Sequence, residues 1–286
     1  MEKIKDLVSV CVVTYNAEKV ITETLDSIAA QSYENIELIV SDDCSKDNTI
    51  YIVSKWIEKH KKRFKNIEFL KSLQNTGVTG NCNRACRQAK GEFIKLIGDD
   101  ILLTDFVTDC VNYFHTYPND EVLFTRIRLL DAGTKEIVDD DKHDYDFFKL
   151  SVEEQFQSII QNLGLYIPTC SSFYRTETLE KMDFFDESIP MWEDGPMYFK
   201  LVEHHIHLSF LDKIDVLYRI NMLSLSHSYS IYSRRSRAVF YLKYFYHYDK
   251  EKNHIKANYR FIKNLLLASN NKLIERCIYL YRKMNS

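Results

Sequence analysis

Four short apolar runs, at residues 8–13, 36–40, 67–70 and 93–97, alternate with segments whose apolar residues recur at helical spacing. This alternation is the feature that most constrains the fold. In the first run Val8, Val10, Cys11, Val12 and Val13 leave little polar surface, as in a strand covered on both faces. Ile21, Leu25 and Ile28 then mark one helical face, and Ile50, Val53 and Ile57 mark another after the second run. A third helix is expected to end near Lys90-Gly91. Strand and helix exchanging in this way predict a parallel α/β sheet, whose ligands gather where the carboxyl ends of the strands open into loops. Those loops are Thr14-Tyr15-Asn16, Ser41-Asp42-Asp43-Cys44-Ser45 and Asp99-Asp100. Asn16 is placed to cap the first helix.

Asp99 and Asp100 follow the fourth run directly, through Gly98. Adjacent carboxylates repel one another and persist where water covers them or where a cation neutralises them. A solvated turn and a divalent-ion site are therefore both open readings. A dinucleotide-dependent oxidoreductase would need a glycine-rich turn after the first strand, and Thr14-Tyr15-Asn16-Ala17 has no glycine. A nucleotidyltransferase would want that loop basic as well; it is not.

These elements, in this order, resemble a family 2 glycosyltransferase of the GT-A fold. The matching stretches are residues 8–16, Ser41-Asp42-Asp43-Cys44-Ser45-Lys46-Asp47, Asn75-Thr76-Gly77-Val78, Ala89-Lys90-Gly91-Glu92-Phe93 running into Gly98-Asp99-Asp100, and Trp192-Glu193-Asp194-Gly195. Thr14 replaces a frequent proline and Cys44 a usual glycine. The resemblance implies a Rossmann-like, mixed but mostly parallel sheet flanked by helices, with a helical C-terminal extension. Residues 1–230 would form the catalytic unit, with 1–100 for the nucleotide and 101–230 for the acceptor; 231–286 would be a basic, aromatic-rich helical segment. It also implies roles. Thr14, Tyr15, Asn16, Asp43, Asn75, Arg84 and Asp99 would serve the nucleotide sugar, with Tyr15 against the base, Asp43 accepting from a base N–H and Asp99 facing the ribose or donor sugar. Asp100 would bind Mn²⁺ or Mg²⁺, His227 could close over the diphosphate and touch the metal, and Asp194 would be the catalytic base.

The chemistry fits those roles. Breaking a sugar–diphosphate bond builds negative charge on the leaving oxygen, and hard oxygen ligands suit a divalent ion that answers it. One pair of opposed charges at close range is worth about 4 kcal/mol at an effective dielectric near 20. A single aspartate within reach of the acceptor hydroxyl can contribute roughly a hundred- to ten-thousandfold in rate, and direct displacement implies inversion. The expected reaction is transfer of one sugar, from a UDP-sugar, to a glycan or lipid-linked acceptor in cell-surface polysaccharide synthesis. A non-catalytic nucleotide-sugar-binding module and a nucleotidyltransferase are the alternatives. Gln-x-x-Arg-Trp, the mark of processive synthases in this family, is absent.

Other residues carry weaker signals. Asp194 also stands where a helix cap would, ahead of Tyr198, Leu201 and Val202. Arg84 and Arg87 could reach the nucleotide or lie on a solvated helix face. His204, His205 and His207 lack metal-ligand spacing. Ser151 and Glu154 have the spacing of a capping box, and a hairpin is expected around Asp131-Ala132-Gly133-Thr134. Seven cysteines without Cys-x-x-Cys suit reduced thiols, and neither a signal peptide nor a spanning apolar stretch is read, so a cytoplasmic enzyme is expected. From residue 231 onward thirteen Lys and Arg face three Asp and Glu, with Tyr241, Tyr244, Phe245, Tyr246 and Tyr248 interleaved. Contact with an anionic membrane, packing on the catalytic unit and, least favoured, nucleic-acid binding all remain open for it.

Overall fold

The computed structural model describes residues 3–141, 143–161, 167–220 and 231–268. His227 lies outside the described residues. The chain begins with β1 (Ile4–Thr14), α1 (Ile21–Ala29), β2 (Ile36–Asp42), α2 (Thr49–His60), β3 (Ile67–Lys71), α3 (Gly77–Cys86) and β4 (Gly91–Ile97). These are the four expected strands with three helices between them. Then follow β5 (Ile101–Leu102), α4 (Phe106–Thr116), β6 (Val122–Asp131), β7 (Ile137–Asp139), α5 (Val152–Gln161), β8 (Phe173–Arg175), α6 (Thr176–Lys181), α7 (Asp194–Glu203) and β9 (Leu208–Ile220). Three helices close the described chain: α8 (Ile231–Phe240), α9 (Tyr246–Lys252) and α10 (His254–Ala268).

One mixed sheet has the order β3-β2-β1-β4-β8-β6-β9-β5, with β7 beside β6. Its long ladders, β1 with β2 and β4, β2 with β3, and β6 with β9, are parallel. Short antiparallel β8 joins the two parallel groups by pairing with β4 and β6. Alternate side chains of the early strands feed two cores, as a sheet covered on both faces requires. Val8, Val10, Val12, Leu38, Val40 and Phe93 pack toward α1, α2 and α4. Cys11, Ile39 and Ile94 pack with Cys82 and Cys86 of α3 and with α7.

The same second core takes in Phe240, Tyr241 and Phe245 from the C-terminal helices. Phe199 of α7 meets Phe245 at 5.3 Å and Tyr244 at 5.4 Å between ring centroids. Packing on the catalytic unit is thus what residues 240–245 do, while α10 lies against α8 and α9. No helix among the described residues is long and apolar enough to cross a membrane.

Candidate active site

Register puts the polar loops on one edge. Thr14 pairs with Asp42 and Val12 with Ile97, so Asp43 and Asp99 flank the end of β1 from its two sides. Two strand spacings, about 10 Å, separate them. Thr14 is buried, and its carbonyl accepts from the Asp43 N–H at 3.0 Å. Tyr15 is 48% exposed, leaving its ring free to meet a flat ligand.

Asn16 does not cap α1. Its φ is +51°, its Oδ1 accepts from the Lys46 N–H at 2.8 Å, and its own N–H donates to Ser45 Oγ at 2.8 Å. The helix begins five residues later, at Ile21, without a side-chain cap. A tertiary bond to the loop after β2 has outcompeted the local one, and it stitches the first two loops together.

Asp43 is only 2% exposed. Its Oδ2 accepts from the N–H groups of Thr76 and Gly77, both at 2.9 Å, and its Oδ1 from Thr76 Oγ1 at 2.8 Å and Arg84 Nη2 at 3.1 Å. Four protein donors occupy the lone pairs expected to meet a nucleobase N–H. The carboxylate here fastens the turn that starts α3. Arg84 is accordingly not a solvated side chain: it also donates to Asn81 Oδ1 at 2.9 Å and Thr76 Oγ1 at 2.7 Å. Asn75 is exposed at this turn, its Oδ1 accepting from the Gly77 N–H at 3.1 Å. Arg87 is half open and faces Glu187 at 3.3 Å.

The anchored turn in turn holds the approach to Asp194. Thr79 donates through Oγ1 to the Ile189 carbonyl at 2.7 Å and through N–H to the Pro190 carbonyl at 3.3 Å. Gly77 has φ +81°, and a Cβ there would stand 2.8 Å from the Pro190 oxygen. Only glycine lets the two segments approach so closely.

Asp194 opens α7. Its Oδ1 accepts from the Gly195 N–H at 2.7 Å and its Oδ2 from Thr169 Oγ1 at 2.9 Å. Burial, and then the neighbouring Asp194 charge, push the Glu193 carboxyl up to about 8. On the far side Gly195 lies against Phe240 of α8, 3.2 Å from where a Cβ would be.

The Asp99–Asp100 pair is asymmetric. Asp99 is exposed, whereas Asp100 is buried and accepts from the Arg219 N–H at 2.8 Å through Oδ1. Arg219 is itself buried: its Nε donates to the Asp99 carbonyl at 2.8 Å, and its Nη1 lies 2.8 Å from Glu23 Oε2. Burial first, and repulsion from Asp99 second, raise the Asp100 carboxyl well above the ordinary carboxylate range. Beneath the pair Lys95 is fully buried, and its Nζ donates to the carbonyls of Cys170 and, at 3.1 Å, Ser172. Burial lowers the lysine to about 8. One short turn, Thr169–Ser171, thus touches both Asp194 and the support of the acidic pair.

Divalent-ion fit can be tested on these atoms. Oδ2 of Asp100 takes no hydrogen bond from a described residue, and the Asp99 carboxylate takes none from any other described residue. Hard, unclaimed oxygens on a pair whose mutual repulsion a cation would relieve suit Mn²⁺ or Mg²⁺, which complete their shells with substrate phosphates and water. Among the described residues no third His, Cys, Asp or Glu joins them. His204 and His205 are exposed, and His207 Nε2 is spent on the Leu150 carbonyl at 2.9 Å.

Sequence reading had passed over Arg219, Lys95 and Thr169. Lys95 did leave a signal, as the one lysine inside the four apolar runs.

Comparison with known proteins places this geometry. The family model "Glycosyl transferase family 2" matches residues 9–181. The poly(ribitol-phosphate) beta-N-acetylglucosaminyltransferase TarS of Staphylococcus aureus is 30% identical over 65% of this chain and 30% of its own length. An Escherichia coli protein, the UDP-Glc:alpha-D-GlcNAc-diphosphoundecaprenol beta-1,3-glucosyltransferase WfaP, is 25% identical over 77% of this chain and 80% of its own. The chain spans less than two thirds of several curated relatives that it matches, TarS among them. The crystal structure of TarS residues 1–349 with UDP-GlcNAc superposes with a TM-score of 0.64 at 25% identity, covering 91% of this chain and 72% of that one. A Pyrobaculum calidifontis mannosyltransferase, in complex with GDP-Man and Mn²⁺, shares the fold at 16% identity and a TM-score of 0.62, covering 97% and 79%. With the family model covering the β1, β2 and β4 loops, and the fold agreeing around them, this chain belongs to glycosyl transferase family 2.

Proposed function

We propose that the protein moves one sugar from a nucleotide-diphosphate sugar, a UDP-sugar, to a hydroxyl of a glycan or lipid-linked acceptor, with inversion, in cell-surface polysaccharide synthesis. What supports this reading is one turn, Thr169–Ser171, whose Thr169 hydroxyl donates to Asp194 and whose Cys170 carbonyl accepts from Lys95 behind Asp100, beside Tyr15 and the acidic pair at the carboxyl ends of β1 and β4. The relatives support the donor class: TarS has been crystallised with UDP and with UDP-GlcNAc, and WfaP is named for UDP-Glc and a diphosphoundecaprenol-linked sugar.

In this reading Tyr15 offers its open ring to the base, with Thr14, Asn16 and Asn75 beside it. Asp43 acts through the turn and the Arg84 side chain that it fixes. Asp99 would face the ribose or donor sugar, and Asp100 would help hold Mn²⁺ or Mg²⁺, whose charge would offset that growing on the leaving diphosphate. Asp194, steered by Thr169, takes the proton of the acceptor hydroxyl as it attacks. His227, outside the described residues, would close over the diphosphate and touch the metal. The enzyme would work at the cytoplasmic face of the membrane that carries its acceptor.

A binding-only module would need no Asp194 oriented by its own hydroxyl donor. The deciding experiment offers the full chain UDP-GlcNAc, UDP-Glc and GDP-Man with Mn²⁺ and follows nucleotide release. Release from a UDP-sugar, accelerated by an acceptor, supports the proposal, and tight UDP-sugar binding with no release under any acceptor would leave the binding module.

A further inference from the structure

Helix α10 is amphipathic the wrong way round. A helix laid on a protein body normally turns its apolar side inward. On α10 the covered positions are Ala257, Arg260, Phe261 and Asn264, while Ile255 is 85% exposed and Tyr259, Ile262 and Leu266 are exposed with it. Positions 255, 259, 262 and 266 follow the i, i+4, i+7, i+11 rule, so at 100° per residue they form one stripe pointing away from the body. It runs for about 16 Å. Leu265 widens it.

The stripe has a charged margin. Lys256 and Lys263 of α10 are exposed, and neither is ion-paired with a described residue. No Asp or Glu occurs from residue 252 to residue 268. The cation on the covered side, Arg260, is already matched by Asp249 at 2.7 Å. A second copy of α10 would cover the apolar stripe but bring no countercharge for the lysines. A polynucleotide would supply countercharge but leave the stripe in water. A surface with phosphate outside and hydrocarbon just beneath satisfies both.

We propose that α10 lies in the interface of an anionic phospholipid membrane, with Ile255, Tyr259, Ile262 and Leu266 entering the boundary between headgroups and acyl chains and Lys256 and Lys263 resting on the phosphates. An interfacial helix is held by buried apolar area and attraction to anionic lipid together. The proposal specifies the surface on which the acceptor reading above would operate, yet it stands on α10 alone: vesicle binding and sugar transfer can each fail without the other.

The test is co-sedimentation of the full chain with vesicles of phosphatidylglycerol and phosphatidylcholine, against phosphatidylcholine alone. Binding is expected only to the anionic vesicles and should weaken with salt. Ile255→Glu with Ile262→Glu, on an exposed face and remote from the site, should lower it about tenfold or more while leaving UDP-sugar turnover in solution unchanged. Ile262→Trp should show a blue shift of its emission on adding anionic vesicles. Failure of the unaltered chain to sediment would overturn the proposal, and so would unchanged sedimentation of the double variant. A concentration-dependent dimer that the double variant abolishes, with no vesicle binding, would assign the stripe to a second copy instead.

Discussion

Thr169 donates its hydroxyl to the Asp194 carboxylate at 2.9 Å, and the very next residue, Cys170, supplies a carbonyl to buried Lys95 under the Asp99–Asp100 pair. The two acidic groups of the site therefore share one mechanical support. Its members can be perturbed one at a time.

Asp194→Asn keeps the shape of the side chain and removes its capacity to accept a proton. Transfer should fall at least about a hundredfold. Calorimetric affinity for the UDP-sugar should stay close to that of the unaltered chain; undiminished turnover would remove Asp194 as the base.

Thr169→Val removes one hydrogen bond to Asp194, the proposed base, worth about 1 kcal/mol. A roughly threefold to tenfold loss in kcat with KM for the donor unchanged is expected, since the hydroxyl serves Asp194. A change confined to KM would place Thr169 elsewhere in the cycle.

Lys95→Met deletes a buried cation together with its two carbonyl contacts. Released desolvation offsets part of the lost bonding, so stability should change by no more than about 2 kcal/mol. Displacement of the Thr169–Ser171 turn should still cost about tenfold in transfer. The lysine sits at about 8 when folded, below its ordinary value, so between those two pH values the unfolded chain binds the extra proton. Its contribution to stability should thus rise as pH climbs through that window, a slope that melts of Lys95→Met would lack.

Glu193 gives the opposite slope. Its carboxyl is raised when folded, so from the ordinary carboxylate range up to about 8 the native state holds a proton that the unfolded state has released. Stability from this group is present in acid and declines as pH rises through that window. Thermal melts of Glu193→Gln between pH 5 and 8 should be flatter than those of the unaltered chain.

Gly77→Ala places a methyl group 2.8 Å from the Pro190 oxygen at a φ of +81°. Destabilisation above about 1 kcal/mol should appear in denaturant unfolding. Because the displaced segment leads into Asp194, transfer should fall as well.

The β-strands could be read from sequence because burial on both faces writes itself as apolar density, and the acids because they sit where those runs stop. Local pairings were equally readable: the Ser151 N–H donates to Glu154 Oε2 at 2.9 Å and the Glu154 N–H to Ser151 Oγ at 3.4 Å, as the capping box predicts. What escaped notice depends on distant chain. Arg219 reaches Asp100 across 119 positions, and Lys95 reaches Cys170 across 75. Asn16 looked like a cap because the competing partner, Lys46, is 30 residues away. For the same reason Asp43 appeared free to meet a base until Thr76, Gly77 and Arg84 were seen to fill it.

Phe240 resting on Gly195 has a practical corollary for anyone shortening this chain. Cutting at residue 230, where the composition changes, would strip an aromatic wall from beside the presumed proton acceptor and bare Phe199 to water. The truncated product would be expected to precipitate or to lose turnover for reasons unrelated to lipid, so the tail's role has to be dissected with point changes on its outer face.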